Sequence, residues 1–213
     1  MHRLMTFIAA ALIAIGAMAA PKTYDLVSPD GRLKVEIKTG NGICYTLQHD
    51  SDVLLEDSYL GLYLTDGTSF GENAKVTGTS RRSVCEIYKT VLYKKAAVED
   101  SFNELTLKFK NFHLIFRAYD DGLAYRFISK RDGGYVVSSE NAEFNFAGDF
   151  PVHAAASPMT RDYDPWQSSF EGYYAQSTIS GLMSGKLYQS PMMVQNGGAK
   201  FVIAESDVLD YPG

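Results

Sequence analysis

The sequence predicts an all-β chain whose antiparallel strands form a sandwich. Three observations indicate this fold class. Segments with an apolar residue at every second position dominate the chain, and turn residues interrupt them at short intervals. After the N-terminus, no window of a dozen residues has the apolar spacing of a helix. Aromatic residues make up 13% of the 213 residues, a share that suits strands and sugar-binding surfaces. Short strands without intervening helices are typical of a sandwich or barrel and argue against an α/β fold.

Residues 1–19 are predicted to be a secretory signal peptide that is not part of the fold. Arg3 supplies a positive start, residues 7–15 are an unbroken apolar stretch, and residues 17–19 have the small-residue pattern of a cleavage site. The apolar stretch is shorter than the about 20 residues that span a bilayer. We therefore expect an exported protein, with no membrane segment after cleavage.

The predicted strands follow in chain order, each bounded by a turn. The turns contain Pro, Gly, Asn or Asp and lie at residues 28–31, 41–42, 66–67, 120–122 and 197–198. The alternating apolar positions between them are Leu33, Val35 and Ile37; Ile43, Tyr45 and Leu47; Leu60, Leu62 and Leu64; Leu105, Leu107 and Phe109; Phe112, Leu114 and Phe116; and Leu123, Tyr125 and Phe127. An apolar stretch at 201–204 adds a last strand. One domain is expected from residue 21 to residue 213.

The stretch 154–185 is less periodic and is expected to form long loops over the sheets, where binding residues tend to collect. It supplies candidate substrate-binding residues, because aromatic rings and carboxylates together suit the ring faces and hydroxyls of sugars. These candidates are Asp162, Asp164, Trp166, Tyr173 and Tyr174. The same side chains could equally pack a loop.

Other chemistry suggested by the sequence has a simpler structural interpretation. Asp120 and Asp121 are adjacent and followed by Gly122, so they are interpreted as turn residues and not as a catalytic carboxylate pair. The four histidines show no metal-ligand spacing, and there is no nucleophile elbow or phosphate-binding loop. A net charge of −5 leaves no basic excess to neutralise the phosphates of a nucleic acid.

Cys44 and Cys85 are the only cysteines. An exported compartment permits a disulfide, but the sequence leaves a bridge and two free thiols equally open. Alternation places Cys44 on the opposite face of its strand from Ile43 and Tyr45. A catalytic or zinc role is the weakest interpretation, because no Cys–His constellation lies near either residue.

Glu205 directly follows the apolar stretch 201–204 and is expected at the end of a buried strand. A carboxylate there must be paired, solvated or bound to a cation, because burying a lone charge is costly. A solvated loop glutamate is the simpler alternative.

Several segments carry a family resemblance across nearly the whole chain after residue 21. They are SPDGRLKVEI (28–37), LGLYL (60–64), SRRSVCEIYK (80–89), NELTLKF (103–109), FRAYDDGLAYRF (116–127), AEFNFAGDF (142–150) and FVIAESDVLDYPG (201–213). In this order they resemble the N-terminal domain of glycoside hydrolase family 97, the calcium-dependent α-glucosidases and α-galactosidases. FRAYDDGLAYRF and the AES…DY ending are the more specific segments. Two departures are Cys85, where relatives tend to carry a polar or acidic residue, and 151–157, which lacks their tryptophan.

The resemblance implies a galactose-mutarotase-like super-β-sandwich that packs against a (β/α)8 barrel carrying the catalytic carboxylates. Residues 21–213 would then be an N-terminal domain that is incomplete at its C-terminus. It would lack the last strands and the barrel, would have no catalytic residues of its own and would be inactive alone, and the resemblance implies a periplasmic enzyme of a Gram-negative bacterium. The partners implied are an α-linked oligosaccharide substrate and the enzyme's own barrel.

The resemblance also implies a metal site. Glu205 in AESDVLDY matches the position of a family glutamate that reaches a calcium ion in the active site, so calcium is the implied cofactor, shared with the barrel. The function implied is that of the sandwich domain of an exported, exo-acting α-glycosidase, which supports the barrel and supplies this ligand. The alternative is a stand-alone, non-catalytic carbohydrate-binding or protein-interaction sandwich.

Overall fold

The computed structural model of the chain describes residues 21–157 and 172–206, and the predicted signal peptide lies outside these ranges. The described residues form strands and turns and no helix, which confirms the all-β prediction. In these same ranges, no helix has the length and apolar character needed to cross a membrane. The chain divides into two compact units, Met1–Asn145 and Phe146–Gly213.

The first unit contains two antiparallel sheets. The first sheet has the strand order β1-β2-β3-β4-β10, with β5 paired to β4, and the second has the order β6-β7-β8-β9. The strands are β1 (Lys22–Val27), β2 (Leu33–Thr39), β3 (Ile43–His49), β4 (Asp52–Leu64), β5 (Ser69–Phe70), β6 (Gly78–Lys89), β7 (Ala97–Lys108), β8 (Phe112–Tyr119), β9 (Gly122–Ser129) and β10 (Val137–Ala142). Most neighbours in sequence are neighbours in a sheet, so short hairpins build both sheets.

The alternation predicted from sequence places one face of each sheet in the core of the first unit. In β2 and β8 every second residue is buried. The two inner faces meet, because the Tyr45 ring of the first sheet lies 6.2 Å from the Phe116 ring of the second, measured between centroids. The Asn103 side chain donates to the Val27 carbonyl across the same interface at 2.8 Å. Each fully buried Phe or Leu contributes about 1.5–3 kcal/mol, so this shared apolar layer is the main source of stability for the unit.

The outer face of the second sheet carries an ion-pair network around Glu104, whose side chain is 7% exposed. Arg82 binds both carboxylate oxygens, at 2.7 and 2.8 Å, and Arg117 donates to one of them at 2.8 Å. The register of the sheet places these residues side by side, since Glu104 is paired with Arg82 on β6 and with Arg117 on β8. The Arg117 guanidinium also lies 4.3 Å from the centroid of the Phe102 ring. The network covers the outer face of β7 at the middle of the sheet.

The described part of the second unit contains one antiparallel sheet, the third sheet, with the order β12-β11-β13-β14. Its strands are β11 (Pro151–Ala156), β12 (Ala175–Thr178), β13 (Tyr188–Asn196) and β14 (Ala199–Ile203). Val152, Ala154 and Val194 form a buried cluster on one face of this sheet. The partly buried residues packed against the cluster are Phe146, Phe150, Ile179, Leu182, Tyr188 and Met192.

Both cysteines belong to the first unit and are free thiols. Cys44 is 7% exposed, and burial raises the pKa of its thiol. Cys85 is exposed on β6, with its sulfur 3.8 Å from a carboxylate oxygen of Glu99. The structure thus selects the unbridged alternative.

Candidate functional site

The predicted site residues fall in the second unit, and the structure describes only part of them. Asp162, Asp164 and Trp166 lie outside the described residues. Tyr173 and Tyr174 precede β12, and Glu205 follows β14. The candidate site is therefore the region of the third sheet around these three residues.

One face of the third sheet carries the apolar cluster. In the described part of the chain, the opposite face, here called the open face, includes the half-buried His153 and Met193 and the exposed Val202. His153, Met193 and Val202 form a row across the open face, because the register pairs Met193 with the other two. The open face has a shallow depression with a volume of about 360 Å³. Its lining residues are His153, Tyr174, Pro191, Met192, Met193 and Val202.

Tyr174 joins the segment before β12 to β13. Its hydroxyl donates to the Pro191 carbonyl at 3.0 Å, while 53% of the residue surface remains exposed. The Ser190–Pro191 peptide bond is cis. Tyr173 is 97% exposed. Of the two predicted tyrosines, Tyr174 lines the depression, whereas Tyr173 is not among its lining residues.

The prediction that Glu205 ends a buried strand is wrong. Val202 in β14 is 63% exposed, and Glu205 itself is exposed two residues after the strand ends at Ile203. The physical reason is that β14 lies at the edge of the third sheet and turns an apolar side chain to the open face. Because Glu205 is exposed, water solvates its carboxylate, and the charge needs no partner to compensate for burial.

Within the described ranges, no group of three or more His, Cys, Asp and Glu side chains could hold a metal ion. Calcium takes six to eight oxygen ligands. Glu205 offers one exposed carboxylate at a strand end and fits the role of a single ligand. The other ligands of a calcium shell would have to come from residues beyond those described.

The turn after β12 is held by a carboxylate. Asp149 accepts from the Ser180 amide at 2.8 Å and from the Ser180 hydroxyl at 2.6 Å. These hydrogen bonds, with that of the hydroxyl the largest contribution, lower the pKa of Asp149. The charged group thereby fixes the loop that follows β12, which is a structural role.

Among the described residues, those that line the depression are apolar apart from one imidazole and one phenol, which suits contact with an apolar surface. The sequence interpretation missed His153, Pro191 and Met193 as site residues, because β11 and β13 were not predicted as strands. It missed Val202 because the predicted strand at 201–204 was expected to be buried. The signal that could have found them is the alternation of Val152 and Ala154 in β11 around His153.

Comparisons with known proteins indicate one family. The sequence matches the family described as "Glycosyl-hydrolase 97 N-terminal" over residues 26–213. It is 34% identical, over 98% of its length, to a retaining alpha-galactosidase of Bacteroides thetaiotaomicron, and 27% identical, over 84%, to a probable retaining alpha-galactosidase of Streptomyces bingchenggensis. It covers 32% and 27% of these two proteins, so the chain spans between a quarter and a third of the length of the curated relatives that it matches.

Solved structures share the fold. A glycoside hydrolase family 97 enzyme from Pseudoalteromonas sp. strain K8, in complex with panose, has a TM-score of 0.65 and 20% sequence identity. The match covers 82% of this chain and 27% of that one. A beta-arabinopyranosidase has a TM-score of 0.61 and 24% identity, covering 71% of this chain and 26% of that one.

Proposed function

This chain belongs to the glycosyl-hydrolase 97 N-terminal family, and we propose that it is the sandwich domain of an exported, exo-acting α-glycosidase. The observation that carries the proposal is the 34% identity to a retaining alpha-galactosidase over 98% of this chain. The catalytic carboxylates would belong to a (β/α)8 barrel in the same enzyme. The expected substrates are α-linked oligosaccharides, with α-galactosides ahead of α-glucosides because both curated relatives are named alpha-galactosidases.

The hairpin formed by β6 and β7 supports a role in holding a second domain. Val91 and Leu92 at its tip are 94% and 96% exposed, and Ile87 and Tyr93 are also largely exposed. Contiguous apolar surface of this kind marks a contact site. In our proposal the hairpin tip packs against the rest of the enzyme. Replacing Leu92 by Ser should then weaken the association of this chain with a separately produced barrel domain.

Glu205 is the residue that we propose as a calcium ligand from this domain. Its exposure leaves the carboxylate available to an ion held mainly by another domain. A bound calcium would supply positive charge near the substrate. The contribution of this chain would be to present one carboxylate at the end of a strand that the third sheet keeps in place.

The activity is tested with two proteins. One is this chain alone, and the other is a chimera in which it replaces the matching third of the Bacteroides thetaiotaomicron relative. The chimera should release p-nitrophenol from p-nitrophenyl α-galactoside faster than from the α-glucoside, and the chain alone should release none from either. Hydrolysis by the chain alone, or a folded chimera inactive on both substrates, would overturn the proposal.

The role of Glu205 is tested in the same chimera with Glu205→Gln. Loss of one charged ligand should weaken calcium binding, measured by titration calorimetry, by about tenfold or more, equivalent to about 1.4 kcal/mol. Glu56→Gln, at another exposed glutamate of the chain, is the matched control and should leave the affinity unchanged. An unaltered calcium affinity in Glu205→Gln would leave this domain as scaffold only.

A further inference from the structure

Two tyrosines lie on the outer face of β4, away from the apolar core. Leu60, Leu62 and Leu64 point inward and are buried, so alternation directs Tyr59 and Tyr63 to the other side of the strand. Tyr59 is 46% exposed, and Tyr63 is partly buried. Four residues of extended strand separate their Cα atoms by about 13 Å, the length of a short oligosaccharide.

Both rings pack against glycines on this face. A Cβ added to Gly42 would lie 3.3 Å from two carbons of the Tyr59 ring, and one added to Gly61 would lie 3.5 Å from the Tyr63 hydroxyl. The rings therefore rest on bare backbone and do not project freely into solvent. This packing fixes the rings before any ligand arrives, which lowers the entropic cost of binding.

Hydrogen-bonding groups surround the exposed ring of Tyr59. The carboxylate of Glu143 accepts from the Tyr59 amide at 3.2 Å, from Asn145 at 3.0 Å and from Asn141 at 3.2 Å. The amide of Tyr59 makes the largest contribution to lowering the pKa of Glu143, so this carboxylate is ionised at neutral pH. The side-chain amides of Asn141 and Asn145 lie at the edge of the same surface, beside the Glu143 carboxylate.

A second carboxylate lies beside Tyr63. The pKa of the Tyr63 hydroxyl is raised, first by partial burial and then by the nearby charge of Glu72. Glu72 is exposed. The surface defined by Tyr59, Tyr63, Glu72, Asn141, Glu143 and Asn145, which we call the tyrosine face, thus combines two fixed rings with two carboxylates and two amides.

We propose that the tyrosine face binds a neutral oligosaccharide. An aromatic ring packs on the C–H face of a pyranose, while carboxylates and amides bond its hydroxyls. Two carboxylates disfavour anionic glycans by charge repulsion. The choice of a sugar rests on the proposed function, whereas the residues come from the structure of the first unit.

The test measures binding of this chain to galactomannan, which carries α-galactosyl branches, by affinity electrophoresis and titration calorimetry. We expect Tyr59→Ala and Glu143→Gln each to weaken binding by about five- to tenfold, as loss of one central contact does. Tyr59→Phe keeps the ring and should retain binding. Tyr88→Ala, at an exposed tyrosine of β6, is the control and should bind as the parent does. Thermal melts establish that each variant is folded.

The outcomes separate this proposal from the proposed function. An active chimera whose sandwich does not bind galactomannan refutes the tyrosine face alone. Binding in the chain with a folded but inactive chimera refutes the glycosidase and supports the tyrosine face. Binding that is lost in Tyr173→Ala and not in Tyr59→Ala places the sugar elsewhere and overturns the proposal. Binding by the chain that disappears in an active chimera shows that the face is an interdomain contact, which also overturns it.

Discussion

Replacing Glu104 by Gln should destabilise the protein by about 2–3 kcal/mol at pH 7. A hydrogen bond to a charged group contributes about 1.5–3 kcal/mol, and Glu104 accepts three. The three contributions do not add, because the side chains of Arg82 and Arg117 are 55% and 37% exposed and regain water when the carboxylate is lost. Gln keeps one acceptor oxygen but turns an NH₂ group toward a guanidinium, so a donor faces a donor.

Urea unfolding at 25 °C, followed by tryptophan and tyrosine fluorescence, measures this change. Glu99→Gln is the matched control, since Glu99 is an exposed residue of the same strand. In a thermal melt, the loss should appear as a fall in Tm of about 4–12 °C for a chain of this size. A difference below about 0.5 kcal/mol, or an equal effect of Glu99→Gln, would refute the argument, because it would place the network among ordinary surface ion pairs.

The pH dependence gives a second test of the same network. The hydrogen bond from Arg82 makes the largest contribution to holding the pKa of Glu104 below its ordinary value of 4.5. A carboxyl group whose pKa is lower in the folded state stabilises the protein above its unfolded pKa, and this stabilisation is lost as pH falls through the folded pKa. The parent and Glu104→Gln should therefore converge in stability below about pH 4.5, with the largest difference near neutrality. A constant difference from pH 7 to pH 3 would contradict the assignment.

Two further predictions concern the first unit. Gly71 has φ of +131°, and an added Cβ would lie 2.8 Å from the Leu60 carbonyl oxygen, so Gly71→Ala should cost at least about 2 kcal/mol in urea unfolding. Gly67→Ala, at φ +82° with open space around the Cβ, should cost only about 1 kcal/mol, and equal losses would contradict the steric argument. With a disulfide reagent at pH 8, Cys85 should be labelled at least about 100-fold faster than Cys44, which is buried and has a raised pKa. A single labelling rate for both thiols would show that Cys44 is accessible in the native state.

The hairpins were the part of the fold that the sequence predicted best. Asp120 and Asp121 form the two-residue turn between β8 and β9, since Tyr119 and Gly122 are paired. The structural interpretation of these carboxylates is thus confirmed, and Asp120 also accepts from the Asp30 amide at 2.9 Å. Hairpin partners are close in sequence, so turn chemistry and alternation together specify both the strands and their register.

Strands without an alternating apolar pattern were missed. β6 is exposed over nearly its whole length and has no alternating apolar pattern, yet it pairs with β7 through twelve residues. β10 pairs with β4, whose residues lie more than 70 positions earlier in the chain. Backbone hydrogen bonds leave no trace in the local pattern of side chains, whereas burial of one face does. For this reason the outer strands of each sheet were the least predictable.

The error over β14 has a different cause and bears on function. An apolar run predicts burial only when another surface covers it, and Val202 in β14 is 63% exposed on the open face of the third sheet. The hairpin tip at Leu92 shows the same mismatch in the first unit. A patch of apolar side chains that is exposed in the isolated chain marks a surface that a partner covers in the complete protein. Such exposure supports our proposal that the open face and the hairpin tip are surfaces that another domain covers. The tyrosine face, with its two carboxylates and two amides, has the composition of a surface that stays in water.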